Sequence, residues 1–268
     1  MRRVTLNSKQ ISIKESMKIS LLQNDIVWGN PAANQEKISE ILWGLDKSDV
    51  YVLPEMFSTG FSVNPEGIAE KDESSLTWMK NMAAELKGAI CGSVATEVDG
   101  RYYNRMYFVK PNGEVISYDK RHLFTYADEH LRYTRGNERV VVEFRGCRFL
   151  LQVCYDLRFP CFSRNNEKIP YDCALYVGSW PTSRLAVWDT LLHARAIENQ
   201  CYVAGVNRIG EDQSGRYSGG TLIVDHYGNT MAACPLGEDS AITVELDLQK
   251  LKEFRRKFPV LKDADGIF

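Results

Sequence analysis

The sequence lacks any long apolar run and any excess of charge of one sign. None of its apolar stretches approaches the roughly 20 residues that a membrane-spanning helix requires, so no membrane partner is predicted. The 268 residues include 33 lysines and arginines against 35 aspartates and glutamates, which gives a net charge of -2. Because a nucleic-acid-binding domain usually carries a strongly basic face, we expect small-molecule partners and no nucleic acid.

Metal-binding patterns are also missing from the sequence. No two cysteines have the C-x-x-C spacing, and the four histidines are scattered, so we predict no metal site. The seven cysteines are an odd number, and the start of the chain lacks the apolar core of a secretory signal. These features indicate a reducing cytoplasmic location rather than a disulfide framework.

The beginning of the chain differs in character from the rest. Residues 1–16 are polar and basic, and an apolar stretch typical of a first strand, Ile19 to Leu22, follows almost at once. We therefore expect residues 1–16 to form an N-terminal extension outside the fold. Residues 17–268 are then predicted to form a single domain.

Strand-like and helix-like segments alternate through this predicted domain. Val50 to Leu53 has the length and apolar content of a buried strand, whereas the apolar positions of Ser183 to Asn199 recur at helical spacing. Gly210 to Gly220 is rich in glycine and is predicted to be a connection between two strands. Helices mixed with strands over the whole length favour one α/β domain.

Three polar side chains stand directly after predicted strands. Glu55 follows Val50 to Leu53, Lys120 follows another strand, and Cys154 follows Phe149 to Val153. In open α/β sheets, chemistry collects at strand ends. A cysteine on a strand-to-helix turn also gains from the backbone N–H groups of the helix start, which favour a thiolate and can receive an oxyanion.

Each of these residues also has a purely structural interpretation. Cysteine often behaves as a small buried hydrophobe, so Cys154 alone is weak evidence for a nucleophile. Glu55 could be a buried carboxylate with its partners satisfied, and Lys120 a solvated surface charge. The context in which the three residues stand decides between the two interpretations.

Three sequence blocks carry a family resemblance. They are Pro54-Glu55-Met56-Phe57, Tyr118-Asp119-Lys120-Arg121-His122-Leu123-Phe124 and Val153-Cys154-Tyr155-Asp156-Leu157-Arg158-Phe159-Pro160. In this order they resemble the signature blocks of the nitrilase superfamily of carbon–nitrogen hydrolases, and the resemblance covers nearly the whole chain. It implies an α/β fold of the four-layer αββα sandwich type.

The resemblance also implies a role for each residue. Cys154 would be the nucleophile that forms a thioester, and Glu55 the acid and base that moves its proton. Lys120 would stabilise the oxyanion together with the backbone N–H of Tyr155, and Glu129 would hold Lys120. No metal or organic cofactor is implied.

Further blocks are similar to the bacterial omega-amidases of the YafV type. They are Ser58-Thr59-Gly60-Phe61, Tyr102-Tyr103-Asn104-Arg105, Asp128-Glu129-His130, Trp180-Pro181 and Ala194-Arg195-Ala196-Ile197-Glu198-Asn199. This similarity implies a substrate that is a small amide of a 2-oxo acid, either 2-oxoglutaramate or 2-oxosuccinamate, with water as the second reactant. It also implies a homodimer or a higher homo-oligomer.

Aromatic and arginine residues near the strand ends are candidates for substrate binding. Phe57, Phe124 and Trp180 could line a small site, although aromatic residues are more often part of a core. The planar fork of an arginine suits a substrate carboxylate, for which Arg158 and Arg184 are candidates. Arg121 and Arg132 remain alternatives at this stage.

Other functions fit the same residues. The enzyme could act on another small amide, such as deaminated glutathione or an N-carbamoyl compound, or on a nitrile. A nitrilase-fold protein without activity could serve as a binding module, although an intact Glu55, Lys120 and Cys154 argue against it. A hydrolase that pairs cysteine with histidine is a further alternative, for which one of the four histidines would have to lie beside the nucleophile.

Overall fold

Two six-stranded sheets organise the part of the chain, residues 16–263, that the computed structural model describes. The first sheet has the spatial order β14-β1-β2-β3-β4-β5, in which β1, β2 and β3 are parallel and the other neighbours antiparallel. Its strands are β1 (Ser16–Gln23), β2 (Val50–Val52), β3 (Ala89–Val98), β4 (Arg101–Val109), β5 (Val115–Asp119) and β14 (Ser240–Asp247).

The second sheet repeats this arrangement. Its order is β13-β12-β9-β8-β7-β6, with β7, β8 and β9 parallel at its centre. Its strands are β6 (Val141–Phe144), β7 (Cys147–Val153), β8 (Cys173–Gly178), β9 (Tyr202–Asn207), β12 (Leu222–Val224) and β13 (Thr230–Ala233). A separate hairpin of β10 (Ile209–Asp212) and β11 (Gly215–Ser218) lies within the glycine-rich stretch that the sequence predicts to be a plain connection.

Three long helices lie on the outer faces of the two sheets, whereas the C-terminal helix contributes Leu248 and Leu251 to the core between the sheets. The helices are α1 (Pro31–Gly44), α2 (Ser74–Leu86), α3 (Pro160–Ser163), α4 (Leu185–Asn199) and α5 (Leu248–Lys257), and 3-10 turns occur at Thr125–Ala127, Glu129–Leu131, Cys154–Arg158, Thr182–Arg184 and Val260–Lys262. Helix α1 starts as the sequence predicts, with Pro31 in its first turn and the Asn30 side chain accepting from the Ala33 N–H at 3.1 Å.

Side-chain alternation explains how the layers are held together. On β7, Phe149, Leu151 and Val153 point into the core between the two sheets, and Leu150 points toward α4. Apolar residues of α1 and α2 pack on the outer face of the first sheet in the same way. The predicted four-layer αββα sandwich is therefore confirmed, with the main core between the two sheets.

The N-terminal boundary differs slightly from the prediction. Ser16 is already the first residue of β1, where it pairs with Asp247 of β14. Ser16, the last residue of the predicted extension, is therefore part of the first sheet. The rest of the predicted extension, residues 1–15, lies outside the described residues. Within residues 16–263, no helix combines the length and the apolar character needed to cross a membrane.

One buried ion cluster fixes the C-terminal helix to the second sheet. The carboxylate of Asp172, just before β8, accepts from Arg148 Nε and Nη2 at 2.9 and 2.8 Å and from Arg255 Nη1 of α5 at 2.9 Å. Burial disfavours the charged form of Asp172, but these guanidinium groups outweigh it and hold the pKa of the carboxyl below its ordinary value. The ionised carboxylate therefore stabilises the fold.

Replacing Asp172 with Asn should lower the free energy of unfolding at pH 7 by about 1–3 kcal/mol, because the two arginines lose a charged acceptor. A lowered pKa stabilises the fold above the ordinary value of about 4, so the deficit should shrink as the pH falls below that value. Urea unfolding of both proteins at several pH values measures this difference in the free energy of unfolding. Asp189→Asn, at an exposed position on α4, is the control, and equal stability of Asp172→Asn and wild type at pH 7 would refute the assignment.

Candidate active site

The first residue of the site, Glu55, is a fully buried carboxylate that follows β2. Its Oε1 accepts from Lys120 Nζ at 3.0 Å and from Asn104 Nδ2 at 2.7 Å. Its Oε2 accepts from the backbone N–H of Ser179 at 2.8 Å. Ser179 follows β8, so this last bond connects the ends of strands in the two different sheets.

The ammonium group of Lys120 lies between two carboxylates. Lys120 follows β5 and is 1% exposed, with Nζ 3.0 Å from Glu55 Oε1 and 3.1 and 3.0 Å from the two oxygens of Glu129. Burial by itself would lower the pKa of Lys120, but the charges of Glu129 and Glu55 outweigh burial and raise it above its ordinary value. The group therefore stays protonated although it is removed from water.

Glu129 completes this buried cluster. It lies in the 3-10 turn Glu129–Leu131, and its Oε2 accepts from the backbone N–H of Phe124 at 2.6 Å. Burial raises the pKa of Glu129, and the charge of Lys120 opposes the rise. Two acids and one lysine thus share a buried site, and each of their charged groups has a partner of opposite charge or a hydrogen-bond donor.

Cys154 occupies a conformation that side chains seldom adopt. It opens the 3-10 turn Cys154–Arg158 at the end of β7, with φ at 45°, in the left-handed region. Such backbone conformations in non-glycine residues cost about 1–3 kcal/mol and are typical of functional sites. The turn directs Cys154 into the same cavity that Glu55 and Lys120 line.

The thiol of Cys154 rests in its neutral form. Burial and the nearby charge of Glu55 raise the pKa of the thiol well above its ordinary value, and Lys120 opposes them only in part. The expectation that the helix start would favour a thiolate is therefore not met, since the turn is a short 3-10 element beside a carboxylate. A neutral thiol would need a base in order to act as a nucleophile, and the carboxylate of Glu55 lies beside it in the same cavity.

The cavity above these residues has a volume of about 690 Å³. Aromatic rings and arginines form its walls, with the guanidinium of Arg158 5.0 Å from the Trp180 ring centre and that of Arg184 5.4 Å from the Phe124 ring centre. The lining residues are Glu55, Phe61, Val63, Lys120, Phe124, Tyr126, Ala127, Cys154, Tyr155, Arg158, Ser179, Trp180, Pro181, Thr182, Ser183, Arg184, Ser214, Gly215, Arg216 and Tyr217.

A family model and several relatives match nearly the whole chain. The model of the carbon-nitrogen hydrolase family matches residues 18–256. The chain belongs to the carbon–nitrogen hydrolase family. Its sequence is 44% identical over 251 residues to omega-amidase YafV of Yersinia enterocolitica and 37% identical over 251 residues to 2-oxoglutaramate amidase of Bacillus subtilis. These matches cover 93% and 91% of this chain, and 97% and 96% of the relatives.

Solved structures support the same assignment. A carbon–nitrogen hydrolase superfamily protein from Xanthomonas campestris, crystallised with an arsenic adduct in its active site, superposes with a TM-score of 0.92 at 39% identity. That match covers 95% of this chain and 99% of the other. Nit3 of Saccharomyces cerevisiae, a member of the nitrilase superfamily, shares the fold with a TM-score of 0.83 at 21% identity, covering 98% of this chain and 100% of the other.

Most of the residues singled out in the sequence of this hydrolase meet in the cavity. Glu55, Lys120 and Cys154 line it together, and Glu129 contacts Lys120 directly behind them. Tyr155 also lines it. Of the predicted substrate-binding residues, Phe124, Arg158, Trp180 and Arg184 all belong to the walls.

Phe57 requires a correction. It is fully buried in the core between the first sheet and α2, with its ring 5.5 Å from that of Trp78, and it does not line the cavity. The turn after Glu55 has already reversed the chain at Met56, whose φ is 45°, so the next side chain points back to the helices. Arg121 and Arg132 also lie outside the walls, where Arg121 donates to Asn137 and Arg132 pairs with Glu66.

The four histidines contribute nothing to the walls of the cavity. His226, for example, is packed among Tyr202, Tyr227 and Phe254. The structure therefore offers no histidine partner for Cys154. Among residues 16–263, no group of three or more His, Cys, Asp or Glu side chains has an arrangement suited to a metal ion.

Sequence reasoning missed several contributors to the site. Asn104 donates to Glu55 from β4, and although it lies in one of the blocks that resemble the omega-amidases, the sequence alone assigns it no role in the site. The backbone N–H of Ser179 carries no signal of its own. Arg216 and Tyr217 reach the cavity on the β10–β11 hairpin, which replaces the predicted plain connection.

Replacing Glu129 with Gln should lower kcat about 10- to 100-fold, because the neutral amide holds the ammonium of Lys120 less firmly in place. The substitution also removes one of the two carboxylates that keep Lys120 charged against the effect of burial. The pKa of Lys120 should therefore fall, and kcat should decrease more steeply toward alkaline pH than in the wild type. Glu138→Gln, at an exposed position in the same loop, is the control. An unchanged pH–kcat profile in Glu129→Gln would contradict this role.

Proposed function

We propose that this protein is an omega-amidase that hydrolyses the terminal amide of a small 2-oxo acid amide through a thioester on Cys154 and releases ammonia. The observation that carries the proposal is the buried Lys120 ammonium, held between Glu55 and Glu129 on the cavity into which Cys154 opens. This arrangement places a base, a fixed positive charge and a nucleophile around one small space.

Acylation begins with the neutral thiol. Glu55 takes the proton of Cys154 through Oε2, the oxygen that Lys120 and Asn104 do not occupy. The sulfur then attacks the amide carbon, and the carbonyl oxygen becomes negatively charged. Lys120 and the backbone N–H of Tyr155 stabilise this oxyanion, and one such donor typically contributes about 100- to 1000-fold in rate.

The intermediate collapses when Glu55 returns the proton to the amide nitrogen. The carbon–nitrogen bond breaks, ammonia leaves, and a thioester to Cys154 remains. In the second half of the reaction Glu55 takes a proton from water, the resulting hydroxide attacks the thioester, and the thiol leaves with that proton. An amide is a poor electrophile, and the covalent route divides one difficult hydrolysis into two easier steps. The scheme uses no metal and no cofactor.

The charge of the cavity favours an anionic substrate. Within the described chain, Arg158, Arg184 and Arg216 line the cavity without an ion pair to any acid. A guanidinium without an acidic partner is suited to bind a carboxylate in a bidentate manner. Together with relatives called omega-amidase and 2-oxoglutaramate amidase, this favours 2-oxoglutaramate or 2-oxosuccinamate as the substrate.

Arg158 is the arginine that we assign to the substrate carboxylate. Arg158 lies on the same turn as Cys154, and its guanidinium packs on the face of the Trp180 ring. The Trp180 ring is itself fixed, because its Nε1 donates to the Arg184 carbonyl at 2.8 Å. Arg184 also belongs to the wall, where its guanidinium lies over the Phe124 ring. Arg216 is exposed, which suits attraction of an anion toward the cavity rather than a fixed contact.

We also infer a cytoplasmic homodimer. Ile197, Tyr227 and Phe258 are 55%, 56% and 59% exposed, and they form a connected apolar surface through Gly228 and Phe254. A second copy of the chain would cover such a surface. All seven cysteines are free, which is compatible with a reducing compartment.

The substrate assignment is tested by ammonia release from a panel of amides: 2-oxoglutaramate, 2-oxosuccinamate, deaminated glutathione, an N-carbamoyl amino acid and a short nitrile. We expect the two 2-oxo acid amides to give the highest kcat/KM. Turnover of another compound in the panel, with no turnover of either 2-oxo acid amide, would contradict the substrate class. No turnover of any compound in the panel would favour a binding module.

Arg158→Gln should raise KM for 2-oxoglutaramate about 10- to 100-fold, because a charge-assisted bidentate contact contributes about 1.5–3 kcal/mol. It should leave kcat/KM for a short neutral amide of the same length nearly unchanged. Arg135→Gln, an exposed loop arginine outside the cavity, is the control. Equal losses for the charged and the neutral amide would show that Arg158 does not bind the carboxylate.

A further inference from the structure

The carboxylate of Asp156 connects the two chain segments that carry Lys120 and Cys154. It is fully buried and does not line the cavity. Its Oδ2 accepts from the backbone N–H of Val153 at 3.0 Å and from the hydroxyl of Tyr118 at 2.7 Å. Its Oδ1 accepts from the backbone N–H of His122 at 2.9 Å and lies 2.7 Å from the Nδ1 of the same residue.

These partners stand on both sides of the catalytic residues in the sequence. Tyr118 and His122 each lie two residues from Lys120, and Val153 immediately precedes Cys154. One carboxylate therefore contacts the segment that ends the first sheet and the turn that ends a strand of the second sheet. The position of the ammonium relative to the thiol depends on this connection.

Apolar packing alone does not set such a position. The core between the sheets fixes their separation, but hydrophobic contacts are not directional and tolerate small lateral shifts. Charge stabilisation of a developing oxyanion needs the donor within a few tenths of an ångström of its best place. Four directional contacts to one buried carboxylate supply that restraint.

His122 is the second member of this connection. Its Nδ1–H donates to Asp156, and its ring stacks on Phe159 with the centres 3.8 Å apart and the planes 7° from parallel. Phe159 follows directly after the turn that Cys154 opens. The imidazole thus touches that segment in two ways, yet it does not line the cavity and has no access to the reacting atoms.

We propose that Asp156 and His122 form a positioning pair that holds Lys120 and Cys154 at their working separation. This rests on the proposed function for its effect on catalysis, and it adds two residues that act through others rather than on the substrate. The neutral thiol needs Lys120 close by to be deprotonated and acylated at a useful rate.

The test compares two replacements of His122. In His122→Asn the amide nitrogen takes the place of Nδ1 and keeps the donor, whereas His122→Leu removes it. We expect His122→Leu to lower kcat about 10- to 100-fold with KM nearly unchanged, and His122→Asn to stay within about threefold of wild type. His193→Leu, which removes a histidine of α4 outside the cavity, is the matched control.

A second readout needs no substrate. Iodoacetamide labelling of Cys154, followed by peptide mass spectrometry over a range of pH, reports how strongly Lys120 acts on the thiol. Because the charge of Lys120 lowers the pKa of Cys154, its displacement in His122→Leu should move the labelling midpoint to higher pH. The exposed Cys161 serves as the internal reference and should not change.

The outcomes separate the two proposals. A labelling shift in His122→Leu, together with a wild-type protein that hydrolyses none of the amides, would support the positioning pair and contradict the proposed function. An unchanged kcat and labelling midpoint in His122→Leu would overturn the positioning pair, as would a loss in His122→Asn as large as in His122→Leu. If His122→Leu does not fold, Tyr118→Phe takes its place, because it removes one donor to Asp156. It should move the labelling midpoint of Cys154 in the same direction by a smaller amount, and an unchanged midpoint would refute the proposal.

Discussion

The site depends on the burial of one lysine between two glutamates. Removing a charged group from water costs several kcal/mol, and this cost is offset only where partners of opposite charge and hydrogen-bond donors surround the group. Lys120 has both carboxylates within 3.1 Å, and Asn104, Ser179 and Phe124 supply the remaining donors. Without Lys120 the two carboxylates would face each other in the interior with no charge to compensate them.

The packing of the two sheets creates this environment. Glu55 and Lys120 come from strand ends of the first sheet, while Cys154 and Ser179 come from strand ends of the second. The hydrogen bond from the Ser179 N–H to Glu55 therefore forms only when the sheets are packed face to face. Fold and site are coupled, because the same interface buries the apolar core and brings the acid, the amine and the thiol together.

The balance of charges explains how the thiol is kept ready without being reactive at rest. Burial and Glu55 favour the protonated thiol, and Lys120 favours the thiolate. A substrate that places its carbonyl oxygen beside Lys120 uses the same positive charge to stabilise the oxyanion. In the proposed mechanism the thiol therefore stays neutral until a base removes its proton, which limits side reactions of the cysteine.

Much of this could be predicted from the sequence, and the exceptions share a cause. The apolar patterns predict strands followed by Glu55, Lys120 and Cys154, and the resemblance to the nitrilase superfamily implies the four-layer sandwich in which they meet. Phe57 was placed wrongly because a left-handed residue at Met56 reverses the direction of the next side chain. The contacts of Asn104 and of the Ser179 N–H depend on how the sheets pack, and neither residue type indicates such a partner in advance.

The central claim is that the reaction passes through a thioester on Cys154. Rapid acid quenching of the enzyme with 2-oxoglutaramate, followed by mass spectrometry of the intact protein and of its peptides, tests it most directly. The account predicts an adduct with the mass of a 2-oxoglutaryl group on the peptide that contains Cys154. The control variant Cys161→Ala should form the same adduct, whereas Cys154→Ala should form no adduct and release no ammonia. An adduct on another residue, or ammonia release by Cys154→Ala, would contradict it.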